Sequence, residues 1–161
     1  METEKTDNPS AIVAVAAVGT AAILVFATMP VLVGGMADRY GLDDLQSGLI
    51  ATLYFSTYAL VALTSPLWVR RWDWRRMGFI GFAIMAASLA VALSTQSFGT
   101  ARLAIACSGL GAGILYPISL TLASDMTHTE RVFSIKLTVE QLVPAVLLIG
   151  MSLGWFLGSG L

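Results

Sequence analysis

Five apolar runs of roughly membrane-spanning length, separated by short polar hinges, leave this chain few folds to choose from. Crossing the hydrocarbon core of a bilayer as a helix takes about 20 apolar residues, because the core is about 30 Å thick and each residue rises about 1.5 Å. Runs over residues 11–33, 46–68, 77–93, 100–123 and 131–157 meet that length or come near it. Only 12% of the 161 residues are charged and 57% are hydrophobic, whereas a soluble domain is about 25% charged. A water-soluble fold would need a charged surface that this composition cannot supply. The sequence therefore specifies an all-α integral membrane protein: one transmembrane domain of five helices, with the lipid bilayer as its first partner.

The hinges carry recognisable stop and start signals. Asn8-Pro9-Ser10 precedes the first run as a cap and first-turn signal, and Gly34-Gly35 with Asp38-Arg39-Tyr40-Gly41 is expected to end it. Asp43-Asp44 caps the second, and Thr127-His128-Thr129-Glu130 has the spacing of a capping box before the fifth. The leader Met1–Ser10 holds Lys5 against Glu2, Glu4 and Asp7. A secretory signal wants a positive start and a shorter apolar stretch, so the first run reads as a retained helix.

Orientation follows from where the cations sit. Arg70, Arg71, Arg75 and Arg76, four of the nine Lys and Arg residues, fall in the hinge between the second and third runs. Arg131 opens the fifth run, while Arg39 stands beside three acids and Arg102 is alone in its hinge. The even hinges and the N-terminus are thus expected on the cytoplasmic side, and the C-terminus outside. Trp68, Trp72 and Trp74 suit an interfacial aromatic belt at the cytoplasmic face. The membrane expected is a bacterial cytoplasmic membrane.

Several chemistries are excluded early. A net charge of −1 offers nothing to nucleic acid. Cys107 and His128 are the lone cysteine and histidine, so no disulfide framework, metal set or histidine-based catalytic cluster can form. His128 falls in a loop, where a solvated residue is a simpler reading than a pH sensor. No nucleophile elbow, phosphate loop, CxxC or haem-ligand pattern occurs, so neither enzyme activity nor a cofactor is expected.

The costly residues are in the fifth run. Lys136, Glu140 and Gln141 lie inside an apolar span, where an ionisable side chain costs roughly 2.5–3.5 kcal/mol near the bilayer centre. Spacing i, i+4 puts Lys136 and Glu140 on one face, able to pair. Lys136 is close enough to the cytoplasmic end to snorkel its amine outward, whereas Glu140 is a turn deeper. The pair is either a structural pin or the lining of a cavity that binds a solute or a proton, and Gln141 points off its face. Tyr54 and Tyr58 share a face of the second run, and their hydroxyls suit either cavity lining or core packing. Gly109 and Gly113, and Gly150, Gly154 and Gly158, recur at four-residue spacing, which favours close helix packing.

This layout resembles the first part of a Major Facilitator Superfamily transporter. The short hinge Ala37-Asp38-Arg39-Tyr40-Gly41-Leu42 followed by Gln46-Ser47-Gly48 is similar to the family's first outer loop. The segment from Ser65 through Arg70, Arg71, Asp73, Arg75 and Arg76 stands where the family carries its motif A, though the usual glycine near Ser65 and aspartate near Val69 are absent. Gly109-Leu110-Gly111-Ala112-Gly113 resembles the glycine end of motif B, with Ile105 where that motif has arginine. Asp125 with Glu130-Arg131 resembles the acidic end of the fourth helix and the basic start of the fifth. The resemblance implies secondary transport of a small solute, with proton coupling open. It also implies a fold of two six-helix halves, against which five helices make an incomplete N-terminal half. Such a unit is not expected to transport alone; other membrane helices would be its partners. The rival expectation is a non-transporting accessory subunit of a larger membrane complex.

Overall fold

The computed structural model describes residues 9–158, with side chains described as far as Ser152. Within them the chain is five α-helices joined by short hinges: α1 Pro9–Tyr40, α2 Asp44–Trp68, α3 Trp74–Ser94, α4 Phe98–Ser124 and α5 Thr129–Gly158. All five are long and apolar enough to cross a membrane. Even α3, with 21 residues, is about 32 Å long at 1.5 Å per residue.

The helices begin where polar side chains can take up unpaired amides. Asp43 caps α2 by accepting from the Gln46 N–H at 2.7 Å, and the Gln46 side chain accepts in return from the Asp43 N–H at 3.4 Å, completing a capping box. Asp73 caps α3 by accepting from the amides of Arg75 and Arg76. Pro9 is the first residue of α1, a position where a missing N–H costs nothing; Asn8, its expected cap, lies outside the described residues. Two boundaries need correction. Helix α3 starts at Trp74, behind the Asp73 cap, and not at residue 77. Gly34-Gly35 does not stop α1, which continues to Tyr40 and turns only at Gly41, whose φ of +63° suits glycine. Intrahelical hydrogen bonding in an apolar setting outweighs the modest propensity deficit of two glycines.

α4 is the centre, in contact with each of the other helices. Its small residues let neighbours come close. A side chain at Gly109 would run into the Tyr54 carbonyl of α2, and one at Gly113 into the Tyr58 carbonyl. Gly111, between them, turns to α3, where a Cβ would strike the Gly81 carbonyl and the Met85 amide. Gly81 is itself free of a side chain at that crossing, so α3 and α4 meet backbone to backbone. Thr57 adds a polar tie, donating to the Ala106 carbonyl of α4 at 2.7 Å. The main core joins Ala22, Val25 and Met29 of α1 to Ile50 and Tyr54 of α2, Met85 of α3 and Ile105, Ala112 and Leu115 of α4. A smaller cluster of Val15, Ala123 and Val132 joins α1, α4 and α5.

The glycines of α5 differ. Among the described residues, Gly150 meets nothing within 4 Å; the surroundings of Gly154 and Gly158 lie outside the described residues.

Hinges on the two ends of the bundle are tied separately. At one end Arg39 donates to the Leu93 and Thr95 carbonyls, both at 3.0 Å, and the Tyr40 hydroxyl donates to Thr95 at 2.9 Å. At the other, Arg70 meets Asp125 at 3.4 Å, joining the α2–α3 hinge to the end of α4.

Candidate functional site

α5 presents Val132, Lys136, Glu140 and Pro144, one residue per turn, as its buried face. α1 lies along it with Val15, Ala16 and Gly19 buried. Lys136 and Glu140 are fully shielded there: their side chains have no exposed surface, and Nζ stands 2.5 Å from Oε1. Glu140 is the twelfth residue of α5, about 17 Å along the helix. The pair therefore sits well inside the membrane span. Lys136 does not snorkel as the sequence suggested. Its amine turns inward because a carboxylate one turn away is a better partner for a buried ammonium than a distant interface.

Gly19 makes room for the pair. A Cβ on Gly19 would overlap Glu140 Oε1 and would press on Lys136 Cε at 3.1 Å. Nothing in the local sequence around Gly19 marks this role, because the constraint comes from a helix far along the chain. Tyr116 of α4 completes the site: Lys136 Nζ lies 4.7 Å from the centre of its ring, in cation–π range. Tyr58 of α2 stacks at a tilt on Tyr116, ring centres 6.4 Å apart. Both phenols lie within electrostatic reach of Glu140.

The satisfaction of this cluster is incomplete. Apart from each other, neither Lys136 Nζ nor the Glu140 oxygens find a hydrogen-bond partner among the described residues. The hydroxyl of Thr20, next to Gly19, is also buried without one. Pro144 has no N–H to give to the Glu140 carbonyl one turn back, so that carbonyl lacks its intrahelical bond. A low-dielectric site with spare donors and acceptors is costly if it serves packing alone.

The remaining expected residues divide. Tyr58 joins the cluster. Tyr54 is fully buried in the α1–α2–α4 core with its hydroxyl unpartnered, one turn away from Tyr58 on the same helix. Gln141 is exposed and takes no part. Between α2 and α3, Asp73 serves as the α3 cap and Arg71 is exposed; in the first turn of α3, Arg75 stacks on Trp74 at 5.2 Å and Arg76 is exposed. Ser65 stays within α2, its carbonyl closing the last turn with the Val69 amide. No group of three metal-binding side chains forms among the described residues.

A family model described as Major Facilitator Superfamily matches residues 13–161, nearly the whole chain. The chain belongs to that family. No curated protein and no solved structure matches it. Members of the Major Facilitator Superfamily are membrane transporters rather than enzymes, and five helices apolar enough to cross a membrane agree with that class. The Arg70–Asp125 contact now has a family context: it links the motif A hinge to the acidic end of α4, although Val69 occupies the place of the motif's aspartate. With side chains 68% and 49% exposed, the contact is a weak surface tie.

Proposed function

We propose that this chain forms part of a proton-coupled secondary transporter for a small solute, with Lys136 and Glu140 as the coupling site. The observation that carries the reading is the pair itself, a lysine and a glutamate with no exposed surface, set in mid-span against a glycine. Intramembrane ionisable groups cost insertion energy and mark ion or solute pathways by default. Alternating access needs two bodies that rock about a central site, so the five-helix unit acts together with further membrane helices. It sits in a bacterial cytoplasmic membrane with Arg70, Arg71, Arg75 and Arg76 on the cytoplasmic side.

Proton exchange at Glu140 is open to infrared difference spectroscopy on the chain in nanodiscs. Acidification is expected to raise a carboxylic-acid C=O band that Glu140→Gln removes. If no such band appears between alkaline and mildly acidic buffer, or if it survives in Glu140→Gln, Glu140 does not exchange the coupling proton.

A further inference from the structure

The two members of the buried pair are not equally replaceable, and their asymmetry bears on the kind of solute the site accepts. Lys136 has a second stabilising contact, the face of Tyr116 at 4.7 Å. That contact remains if Glu140 becomes neutral. Glu140 has none: its other oxygen is an unpartnered acceptor, and the α1 surface against it is Gly19, which has no side chain to offer. The titratable groups facing the pair are Tyr116 of α4 and, stacked on it, Tyr58 of α2; the α1 residue against the pair, Gly19, brings no titratable group. A buried carboxylate facing a neutral lysine would have no cation to balance it. A buried ammonium facing a neutral glutamic acid keeps the Tyr116 ring. The accessible second state of the site is therefore the positive one.

From this asymmetry we infer that the site is a receptor for a small organic carboxylate, which takes the place of Glu140 at Lys136 when Glu140 accepts a proton. The inference rests on the coupling role proposed for this pair. Before exchange, the ammonium of Lys136 faces the carboxylate of Glu140. On exchange a proton from water bonds to a Glu140 oxygen, the Nζ–Oε1 ion pair opens, and the solute carboxylate becomes the counter-ion of Nζ. Charge in the site sums to zero in both states, so a proton and an anion enter together and no net charge is buried. Lys136 has N–H donors to spare beyond the one directed at Oε1. The Tyr116 side chain stands against the same ammonium, and the hydroxyl of Thr20, next to Gly19 in the chain, is buried without a hydrogen-bond partner. The site is rich in donors and holds a single carboxylate, which is the chemistry of an anion site.

The test is equilibrium binding of matched probes, benzoate against benzylamine and acetate against ethylamine, to the full chain in nanodiscs at acidic and alkaline pH. The carboxylates are expected to bind at acidic pH, with proton uptake, and about tenfold or more weakly at alkaline pH; the amines are expected not to bind. Glu140→Gln, a stand-in for the protonated acid, should bind carboxylates equally at both pH values. The double variant Lys136→Gln/Glu140→Gln leaves no lone buried charge, so it tests the receptor without the folding defect of a single lysine loss, and it should bind neither class. Amine binding that needs Glu140, or carboxylate binding that survives the double variant, overturns the inference. So does failure of every carboxylate to bind. If binding fails while the Glu140 infrared band titrates, the proton site stands and the anion assignment falls. If the band is also absent, both fall.

Discussion

The space beside Gly19 holds the Glu140 carboxylate or a methyl group, not both. Gly19→Ala would place a Cβ on Glu140 Oε1 and against the Lys136 stem. The carboxylate must then leave its partner or α5 must move off α1. Overpacking of this kind costs about 1–3 kcal/mol, and the loss should appear as a lower thermal midpoint in detergent. The pair supplies a second, sharper expectation. Lys136→Met alone leaves a buried carboxylate without a cation and should cost about 3–5 kcal/mol, whereas Lys136→Met/Glu140→Leu, which removes both charges, should recover most of that loss. A double-mutant cycle on thermal stability reads the difference; equal losses in the single and double variants would mean the charges are not paired in the membrane. The sequence makes Lys136 and Glu140 visible, since their spacing lies within one helix and their cost in hydrocarbon is a property of the residues themselves. It hides Gly19 and Tyr116, which matter only through contacts between helices. The inward turn of Lys136 was hidden for the same reason: snorkelling is the default of an isolated helix, and Tyr116 with Glu140 changes the balance.

Helix α4 shows how far glycine spacing can be read. The run from Gly109 to Gly113 announces close packing, and the structure divides it between two partners, Gly109 and Gly113 towards α2 and Gly111 towards α3. The same spacing in α5 gives Gly150 no neighbour among the described residues, so the pattern alone does not tell a crossing from a bare surface. Gly111→Val should force α3 and α4 apart where the Gly81 carbonyl approaches, costing about 1–3 kcal/mol or more because backbone cannot yield as a side chain can. Gly150→Ala should instead be neutral or stabilising by about 1 kcal/mol through helix propensity. Thermal midpoints of the two variants, measured side by side, check the contrast, and a Gly150→Ala loss as large as that of Gly111→Val would mean that α5 is packed there. The start of α2 is legible because Asp43 caps it, whereas the Asp73 cap, hidden within an arginine-rich hinge, starts α3 at Trp74, ahead of the expected residue 77. The end of α1 was misread at Gly34-Gly35, because glycine punctuates chains that have water as an alternative hydrogen-bond partner.

Across the whole bundle, the two sets of hinges are held apart by five spans that alternate in direction. Arg39 and Tyr40 gather the ends of α1 and α3 at one face, and Arg70 meets Asp125 at the other. These ties fix which hinges share a face but not which face is cytoplasmic. That assignment rests on charge, since Arg70, Arg71, Arg75 and Arg76 outweigh the single Arg102 and the acid-flanked Arg39. Among the described residues only Arg70 of the four has an acidic partner, so the other three guanidinium groups remain available to the anionic surface that orients the chain. In a Cys107→Ser background, Gln96→Cys should react with an impermeant thiol reagent in intact cells, and Trp72→Cys only after lysis. Replacing all four arginines by glutamine should then give a mixed population in which both sites label partially from outside. Cell-surface labelling of Trp72→Cys with the arginines intact would invert the assignment. It would leave the α1–α5 charge pair in place.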